Sequence, residues 1–307
     1  MLNQSEPIVT VICTCYNHEK YVEEAITSVL NQTYNNVQLI VVDNASSDNS
    51  IVKIKGLLDN NPSILFIKNN ANLGICKAFN EAVKYAKGEY LIDLSADDIL
   101  LPNRIEIQLK EFEKLDDSYG MIYSHIEYIN ADGKLISNTK SKQYFPSGDI
   151  FKNILEEYII PSPSTIFRKT SFLNIGSYNE DLAFEDFDFW VKCSYFYKIH
   201  FVPVITTQKR ILGQSLSTQF YSTESDKMLR STLSTFIWAH SRLRNTEELN
   251  SFQKGLSYYF RQSVLYGHLR LAKEYYEMMI APKGIKTYLA ILIFKSKVNI
   301  SPLFRLR

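Results

Sequence analysis

Asp97 and Asp98 stand side by side at the end of the run EYLIDLSADD, and this pairing narrows the chemistry open to the chain. Adjacent carboxylates repel one another unless a cation sits between them and an anionic ligand, and hard oxygen donors select Mg²⁺ or Mn²⁺. A nucleotide diphosphate is an anion of that kind, since the metal can bridge both phosphates and stabilise charge on the departing group. Two more polar loops accompany the pair: Thr14-Cys15-Tyr16-Asn17, and Asp43-Asn44-Ala45-Ser46-Ser47-Asp48. A lone acidic residue at a strand end is usually a cap or turn former, and Asp48 with Ser46 and Ser47 equally suits the start of the next helix.

Other ways of holding phosphate are missing. The sequence contains neither GxGxxG nor GxxxxGK[ST], so neither a dinucleotide Rossmann site nor a P-loop is supported, and the glycine-rich opening of a nucleotidyl transferase is absent too. With 34 Lys+Arg against 33 Asp+Glu, the formal charge of +1 creates no whole-chain field that would draw in nucleic acid. Aromatic residues make up 13%, which suits stacking on bases or sugars and an ordinary core alike. The four cysteines, Cys13, Cys15, Cys76 and Cys193, lack zinc spacing, so they read as buried free thiols of a reducing compartment.

The elements that must position these residues follow from hydrophobic periodicity. Ile8 to Cys15 is a β-branched run, and His18 to Asn31 carries Tyr21, Val22, Ala25, Ile26, Val29 and Leu30 at helical spacing. The unit repeats: VQLIVVD (Val37 to Asp43) before a helix from about Ser47 to Asp59, then ILFIK (Ile64 to Lys68) before one from about Gly74 to Ala86, then EYLIDL. Short strands, apolar on both faces and alternating with helices, imply an α/β fold with a parallel sheet, and ligands of such sheets sit beyond the carboxyl ends of the strands. The three polar loops above all lie there. After Pro102 the spacing predicts a helix to about Leu115, then a hairpin through Asn130 to Gly133, helices over Ser147 to Tyr158, Lys169 to Leu173 and Glu185 to Tyr197, and a β-rich HFVPVITTQKRI.

At this point the segments VTVICTCYN, VVDNASSDNS, NLGICKAFNEAVKYAKGEY and LSADDILLPNR, taken in order, resemble the motifs of family-2 glycosyltransferases. The resemblance runs to about Thr218 and implies a GT-A fold, a mostly parallel central sheet flanked by helices. It implies a nucleotide-sugar half over 1–102 and an acceptor half over 103–220, and beyond it the helical pattern predicts a C-terminal helical extension over 221–307. On the donor side it implicates Thr14, Cys15, Tyr16, Asn17 and Asp43 at the nucleobase, with Asn72, Lys77 and Ala96 beside the nucleotide. The family's DxD-type motif maps on Ser95 to Asp98, with serine where an aspartate normally opens it, so Asp97 is the first metal ligand and Asp98 the second, for Mn²⁺ or Mg²⁺.

The second half resembles the same family. PSPSTIFRKTSFLNIGSYNEDL looks like its acceptor-side stretch and FEDFDFWVK like its Glu-Asp motif at a helix start. That resemblance makes Asp186 the catalytic base, with Glu185 and Asp188 near the acceptor and Trp190, Ser164 and Arg210 lining its site. Displacement at an anomeric carbon needs a carboxylate within roughly 2.6–3.2 Å of the attacking hydroxyl. One base acting in a single displacement inverts the centre, by analogy with glycoside hydrolysis. The plain alternative is that Glu185, Asp186 and Asp188 favour a helix start. Where family members often carry Arg-x-His before a serine, this chain has Arg210-Ile211-Leu212 leading to Ser217.

The implied activity is inverting transfer of a hexose or N-acetylhexosamine, from a UDP-sugar first, to a saccharide or lipid-linked saccharide acceptor. The alternative is a catalytically silent nucleotide- or carbohydrate-binding protein on the same fold. No basic leader precedes the first strand and no run approaches the roughly 18 apolar residues of a membrane span, so a cytoplasmic protein is expected. The segment YLAILIF (Tyr288 to Phe294), set among Lys283, Lys286, Lys295, Lys297, Arg305 and Arg307, suits either peripheral contact at the inner face of an anionic membrane or packing on its own domain.

Overall fold

A computed structural model describes residues 6–141, 144–212 and 223–296. Four parallel strands build its first half: β1 (Val9–Cys15), β2 (Val37–Asp43), β3 (Leu65–Lys68) and β4 (Tyr90–Ser95). Between them run α1 (Val22–Leu30), α2 (Ser50–Leu58) and α3 (Ile75–Val83). Every residue of β1 is buried, as a strand covered on both faces must be. Val9, Val11 and Cys13 pack with Val22, Ala25, Ile26 and Val29 of α1, which is why that apolar spacing folds as a helix against this face. The register sets Cys15 beside Asp43, and Thr14 beside Ser95. The three polar loops therefore leave the sheet at one edge, as the sequence pattern predicted.

The rest of the sheet mixes directions. After β5 (Ile99–Leu100) and α4 (Arg104–Phe112) come β6 (Tyr119–Ile129), β7 (Leu135–Asn138), α5 (Phe151–Glu156), β8 (Ile166–Arg168), α6 (Lys169–Ile175), α7 (Glu185–Phe196) and β9 (Lys198–Arg210). The strand order is β3-β2-β1-β4-β8-β6-β9-β5, with β7 paired on β6. The hairpin expected around Asn130 to Gly133 is β6–β7, where Gly133 takes φ +79° and the Asn130 carboxamide accepts the N–H of Asp132 and Lys134. Two strands were not anticipated. β8 slots between β4 and β6, antiparallel to both, and β5 pairs antiparallel with β9.

Arg104, fully buried, ties this region together. Its Nη1 donates to Thr207 Oγ1 at 2.7 Å and to the Pro163 carbonyl, its Nη2 to the Thr165 carbonyl at 2.7 Å and its Nε to Gln108 at 3.3 Å. α4 is thus fastened to β9 and to the approach of β8 by bonds that satisfy a charge held away from water.

The chain forms two compact units. One gathers the chain to Gly148 with Ile160–Glu180 and Phe196–Leu212, and so contains the sheet. The other gathers Asp149–Ile159, Asp181–Tyr195 and the chain after Leu212. The second unit thus holds α5 and α7 up to Tyr195 together with α8 (Lys227–His240), α9 (Thr246–Leu265), α10 (Leu269–Met278) and α11 (Ile285–Ser296). Its centre is aromatic, with Phe236 lying 5.2 Å from Phe252 and 6.0 Å from Phe187. Gly255 of α9 touches α5 so closely that a Cβ there would lie 2.0 Å from the Leu155 carbonyl oxygen. A turn at Gly267, φ +82°, separates α9 from α10. Among the described residues no helix is long and apolar enough to cross a membrane.

Candidate active site

The loop after β1 is held by the loop after β2 through a set of reciprocal bonds. Asn17, at φ +57°, accepts the Ser47 N–H on Oδ1 at 2.8 Å, while its own N–H donates to Ser46 Oγ at 3.0 Å. His18 N–H reaches Ser50 Oγ and Glu19 N–H reaches Asp48 Oδ2, each at 3.0 Å. Asp48 also accepts the N–H of Ser50 at 2.9 Å, so it is a turn former at the entry to α2, one residue ahead of the Asn49 cap. Partial burial alone would raise its carboxyl, but the bonds from Ser50 and Glu19 outweigh it and hold the group below the usual range. These contacts fix two backbone turns that sequence alone leaves free.

Within that frame Asp43 is completely buried. Its Oδ2 accepts the Ser46 N–H at 3.1 Å, and its Oδ1 has no hydrogen-bond partner among the described residues. A buried carboxylate oxygen left unpaired costs about 1–3 kcal/mol or more, a cost that a ligand N–H would relieve. Cys15 sits beside Asp43 with a buried thiol that burial pushes up, which makes it a packing residue. Thr14 and Ala96 are buried under the same loops, and the Ala96 N–H donates to the Thr14 carbonyl at 3.0 Å. Tyr16 keeps 45% of its surface exposed, an accessible ring at this edge.

Asn44 is a connector that the sequence reading did not single out. Its Nδ2 donates to Asn72 Oδ1 at 2.9 Å, and its Oδ1 accepts Asn69 Nδ2 and the Leu73 N–H, each at 3.0 Å. Asn72 is therefore engaged in shaping the entry to α3, where it also accepts the Gly74 N–H at 2.9 Å. Gly74, at φ +80°, opens the helix, and Lys77 stands exposed on its first turn. The recurrence of asparagine in DNAS and NNANLG was the available signal.

The third loop carries the carboxylate pair. Asp97 is half-buried and accepts the Ser95 hydroxyl on Oδ1, so the serine in place of an aspartate acts as a donor to the next carboxylate. Asp98 is buried, and its Oδ1 accepts the Arg210 N–H at 2.8 Å. Burial first, and the Asp97 charge second, push the Asp98 carboxyl up to about 7. Two carboxyls so placed are ill at ease without a cation. Among the described residues no cluster of three or more His, Cys, Asp or Glu could hold a metal. The pair fits a divalent ion only as partial protein coordination, the kind Mg²⁺ accepts when waters and phosphates complete its shell.

Arg210 does not stand open toward an acceptor, as the sequence reading expected. It is 3% exposed; Nε donates to the Asp97 carbonyl at 3.0 Å, Nη1 to the Asn130 and Ala131 carbonyls at 3.1 and 3.2 Å, and Nη2 to Glu24. Its guanidinium carbon also lies 4.7 Å from the Tyr21 ring centroid. The side chain braces the Asp97-Asp98 loop. Ser164 is likewise interior: its hydroxyl donates to the Pro161 carbonyl at 2.7 Å and accepts the Ser124 N–H at 3.0 Å. Leu212 ends the described stretch, and Ser217 lies outside the described residues.

In the second unit, Glu185 and Asp186 form the first turn of α7, both half-buried, where the helix amino terminus favours ionised carboxylates. Asp188 is buried and committed, with Oδ1 accepting Thr235 Oγ1 at 3.1 Å and Oδ2 lying 2.6 Å from Lys192 Nζ. Trp190 and Phe187 are 2% and 1% exposed, so they are core and present no ring to a ligand. The open aromatic surface is Tyr158, 37% exposed, whose ring centroid lies 5.2 Å from Phe184 and 4.8 Å from Trp190. A lone tyrosine after a short helix gave no periodic signal by which to find it.

A family model described as Glycosyl transferase family 2 matches residues 10–174. An uncharacterized glycosyltransferase of Methanocaldococcus jannaschii is 35% identical over 191 residues, 61% of this chain and 65% of that one. Another, from Rickettsia felis, is 34% identical over 212 residues, 68% of this chain and 35% of that one. The chain thus spans less than two thirds of the length of these curated relatives. Among solved structures, S. aureus TarS (residues 1–349) in complex with UDP-GlcNAc aligns with a TM-score of 0.63 at 15% identity, covering 97% of this chain and 91% of that one. The mannosyltransferase PcManGT of Pyrobaculum calidifontis, in complex with GDP-Man and Mn²⁺, gives 0.63 at 15% identity, covering 97% and 85%. These likenesses establish a GT-A fold.

Proposed function

The chain belongs to glycosyl transferase family 2, and from that premise we propose that it transfers a hexose or N-acetylhexosamine from a UDP-sugar to a saccharide or lipid-linked saccharide, with inversion at the anomeric carbon. The observation that carries this reading is the unpartnered, fully buried Oδ1 of Asp43, an acceptor that suits the imide N–H of a nucleobase. Tyr16 offers its exposed ring to the same base, and Asn17 orders the loop around it. UDP-GlcNAc and GDP-Man are the ligands of the two fold relatives, which supports a nucleotide-sugar donor.

Residues 1–220 act as the catalytic domain and 221–307 as a helical extension. Asp97 and Asp98 would hold Mn²⁺ or Mg²⁺, which would supply charge neutralisation for the leaving diphosphate. Lys77, exposed on the first turn of α3, adds a positive charge beside the phosphates. Asp186 accepts the proton of the attacking hydroxyl as the new bond to the anomeric carbon forms and the bond to the diphosphate oxygen breaks. Glu185 shares the first turn of α7 with that base, and Asp188 anchors the turn through Thr235 and Lys192. The acceptor sugar lies on Tyr158 and Phe184 rather than on Trp190. The four free cysteines, all buried, suit the reducing cytoplasm.

A donor screen with mass detection of released nucleotide, beside calorimetry with UDP and Mn²⁺, tests the reading. Asp186→Asn lowers transfer by at least about 100-fold and leaves UDP binding unchanged, whereas Asp97→Ala weakens both. Full activity in Asp186→Asn removes the base assignment. UDP binding with no release on any donor and acceptor would make the chain a silent binding protein.

A further inference from the structure

α11 is apolar on nearly every side, and a helix of that composition is stable only where all its sides are covered. One side is covered by its own unit. Thr287 and Ala290 are buried, Thr287 Oγ1 accepts a bond from Arg261 Nη1 of α9 at 2.7 Å, and the Phe294 ring lies 5.8 Å from those of Phe260 and Tyr276. The opposite side faces solvent. Ile285, Tyr288, Leu289 and Leu292 are 77%, 56%, 54% and 66% exposed. Their spacing, i, i+3, i+4, i+7, makes a single stripe along the helix, and Ile280, 71% exposed, precedes it. The two readings of this segment that sequence left open are therefore compatible: one face packs and the other is free.

The charges around the stripe identify what covers it. From Lys283 to Ser296 the chain carries Lys283, Lys286 and Lys295 and no acidic residue. At about 100° per residue, Lys286 and Lys295 fall on opposite borders of the stripe. A second copy packed symmetrically on this face would bring lysines against lysines, which disfavours a dimer. An apolar layer edged with phosphates matches both features at once, because lysines at the border reach the headgroups while the aliphatic stripe enters the acyl region.

We propose that the Ile285–Leu292 stripe of α11 docks on an anionic phospholipid surface, with the helix in the plane of the interface. The proposal rests on this helix alone and stands whether or not the transfer reading does. Flotation of the full chain with phosphatidylglycerol–phosphatidylcholine vesicles tests it, against vesicles of phosphatidylcholine only. Binding to the mixed vesicles is expected, and it falls about tenfold or more on neutral vesicles or at roughly 1 M salt, where the screening length is ~3 Å.

Leu289→Ser combined with Leu292→Ser lowers the bound fraction about tenfold or more, with circular dichroism and thermal midpoint unchanged, since both side chains are exposed. Equal flotation of the double variant and the parent chain, or no flotation with the anionic vesicles, overturns the proposal. So does a concentration-dependent dimer in sedimentation that the double variant abolishes while vesicles bind neither protein, because the stripe is then the seat of a second copy.

Discussion

The main-chain N–H of Arg210 donates to Oδ1 of Asp98 at 2.8 Å, joining the end of β9 to the loop after β4 across 112 residues of sequence. The Arg210 side chain then closes the same loop from the other side through the Asp97 carbonyl, and holds the β6–β7 turn through the Asn130 and Ala131 carbonyls. One planar fork thereby fixes a carboxylate pair that no glycine cradle supports. Arg210→Lys keeps the charge but can satisfy only some of these acceptors. A loss of about 1–3 kcal/mol is expected, because the part-buried Asp97, Asn130 and Ala131 carbonyls lose bonds worth ~0.5–1.5 kcal/mol each, while the exposed Glu24 partner contributes little. Urea unfolding measures the loss, and Mn²⁺-dependent UDP binding should weaken with it; wild-type stability in the variant would show that the fork is dispensable.

Asp43 offers a cleaner separation of binding from folding. Asparagine at position 43 can still accept the Ser46 N–H, but it turns an amide donor where the orphaned oxygen stood. Replacing a buried unpaired charge should leave stability equal or higher. UDP affinity should fall about 10- to 100-fold, since a donor would then face a donor. Calorimetry with UDP alone reads this without any metal, and an unchanged affinity in Asp43→Asn would end the base-contact assignment.

Much of this was legible in the chain itself, for a physical reason. β1, and β2 from Leu39 onward, are rich in β-branched residues and buried on both faces, so their pattern declares a parallel sheet, and a parallel sheet gathers Asn17, Asp43 and Asp97 at one edge. β5 and β8, with two and three residues, are too short to show any period. Trp190 carried the stronger aromatic signal, yet its helical phase turns it into the core beside Phe187, while Tyr158 is open only because α5 ends two residues before it. Arg210 took its role from partners on three distant segments, which no local pattern encodes.

His125 gives the sheet-bearing unit a pH dependence. Its ring sits edge-on to Phe145 and Phe201, with centroids 4.7 and 4.9 Å away, and Nδ1 lies 2.9 Å from Thr139 Oγ1. Burial first, and Lys140 second, hold its pKa below the ordinary 6.5. The folded state therefore favours the neutral ring, so at intermediate pH the unfolded chain binds more protons. The stabilising contribution is fully present above about 6.5 and is lost as pH falls through the lower folded value. Thermal melts followed by circular dichroism should show a declining Tm over that acid range, with a shallower slope in His125→Gln. Parallel slopes would assign the acid sensitivity to other groups.

Tyr158 tests the acceptor side of the proposal. Its ring leans on Phe184, two residues before the proposed base Asp186, and is backed by the buried Trp190. A sugar resting on such a face gains about 0.5–1.5 kcal/mol from the ring beyond simple burial, so Tyr158→Ala should raise the acceptor KM about 3- to 10-fold. The donor KM and UDP affinity should stay put, because the nucleotide loops belong to other elements. Tyr158→Phe keeps the ring and should restore the acceptor KM, whereas a requirement for the hydroxyl would leave Phe as poor as Ala. A kcat loss with unchanged acceptor KM in Tyr158→Ala would mean that the tyrosine supports the α7 turn rather than the sugar, and the acceptor platform would have to be sought elsewhere.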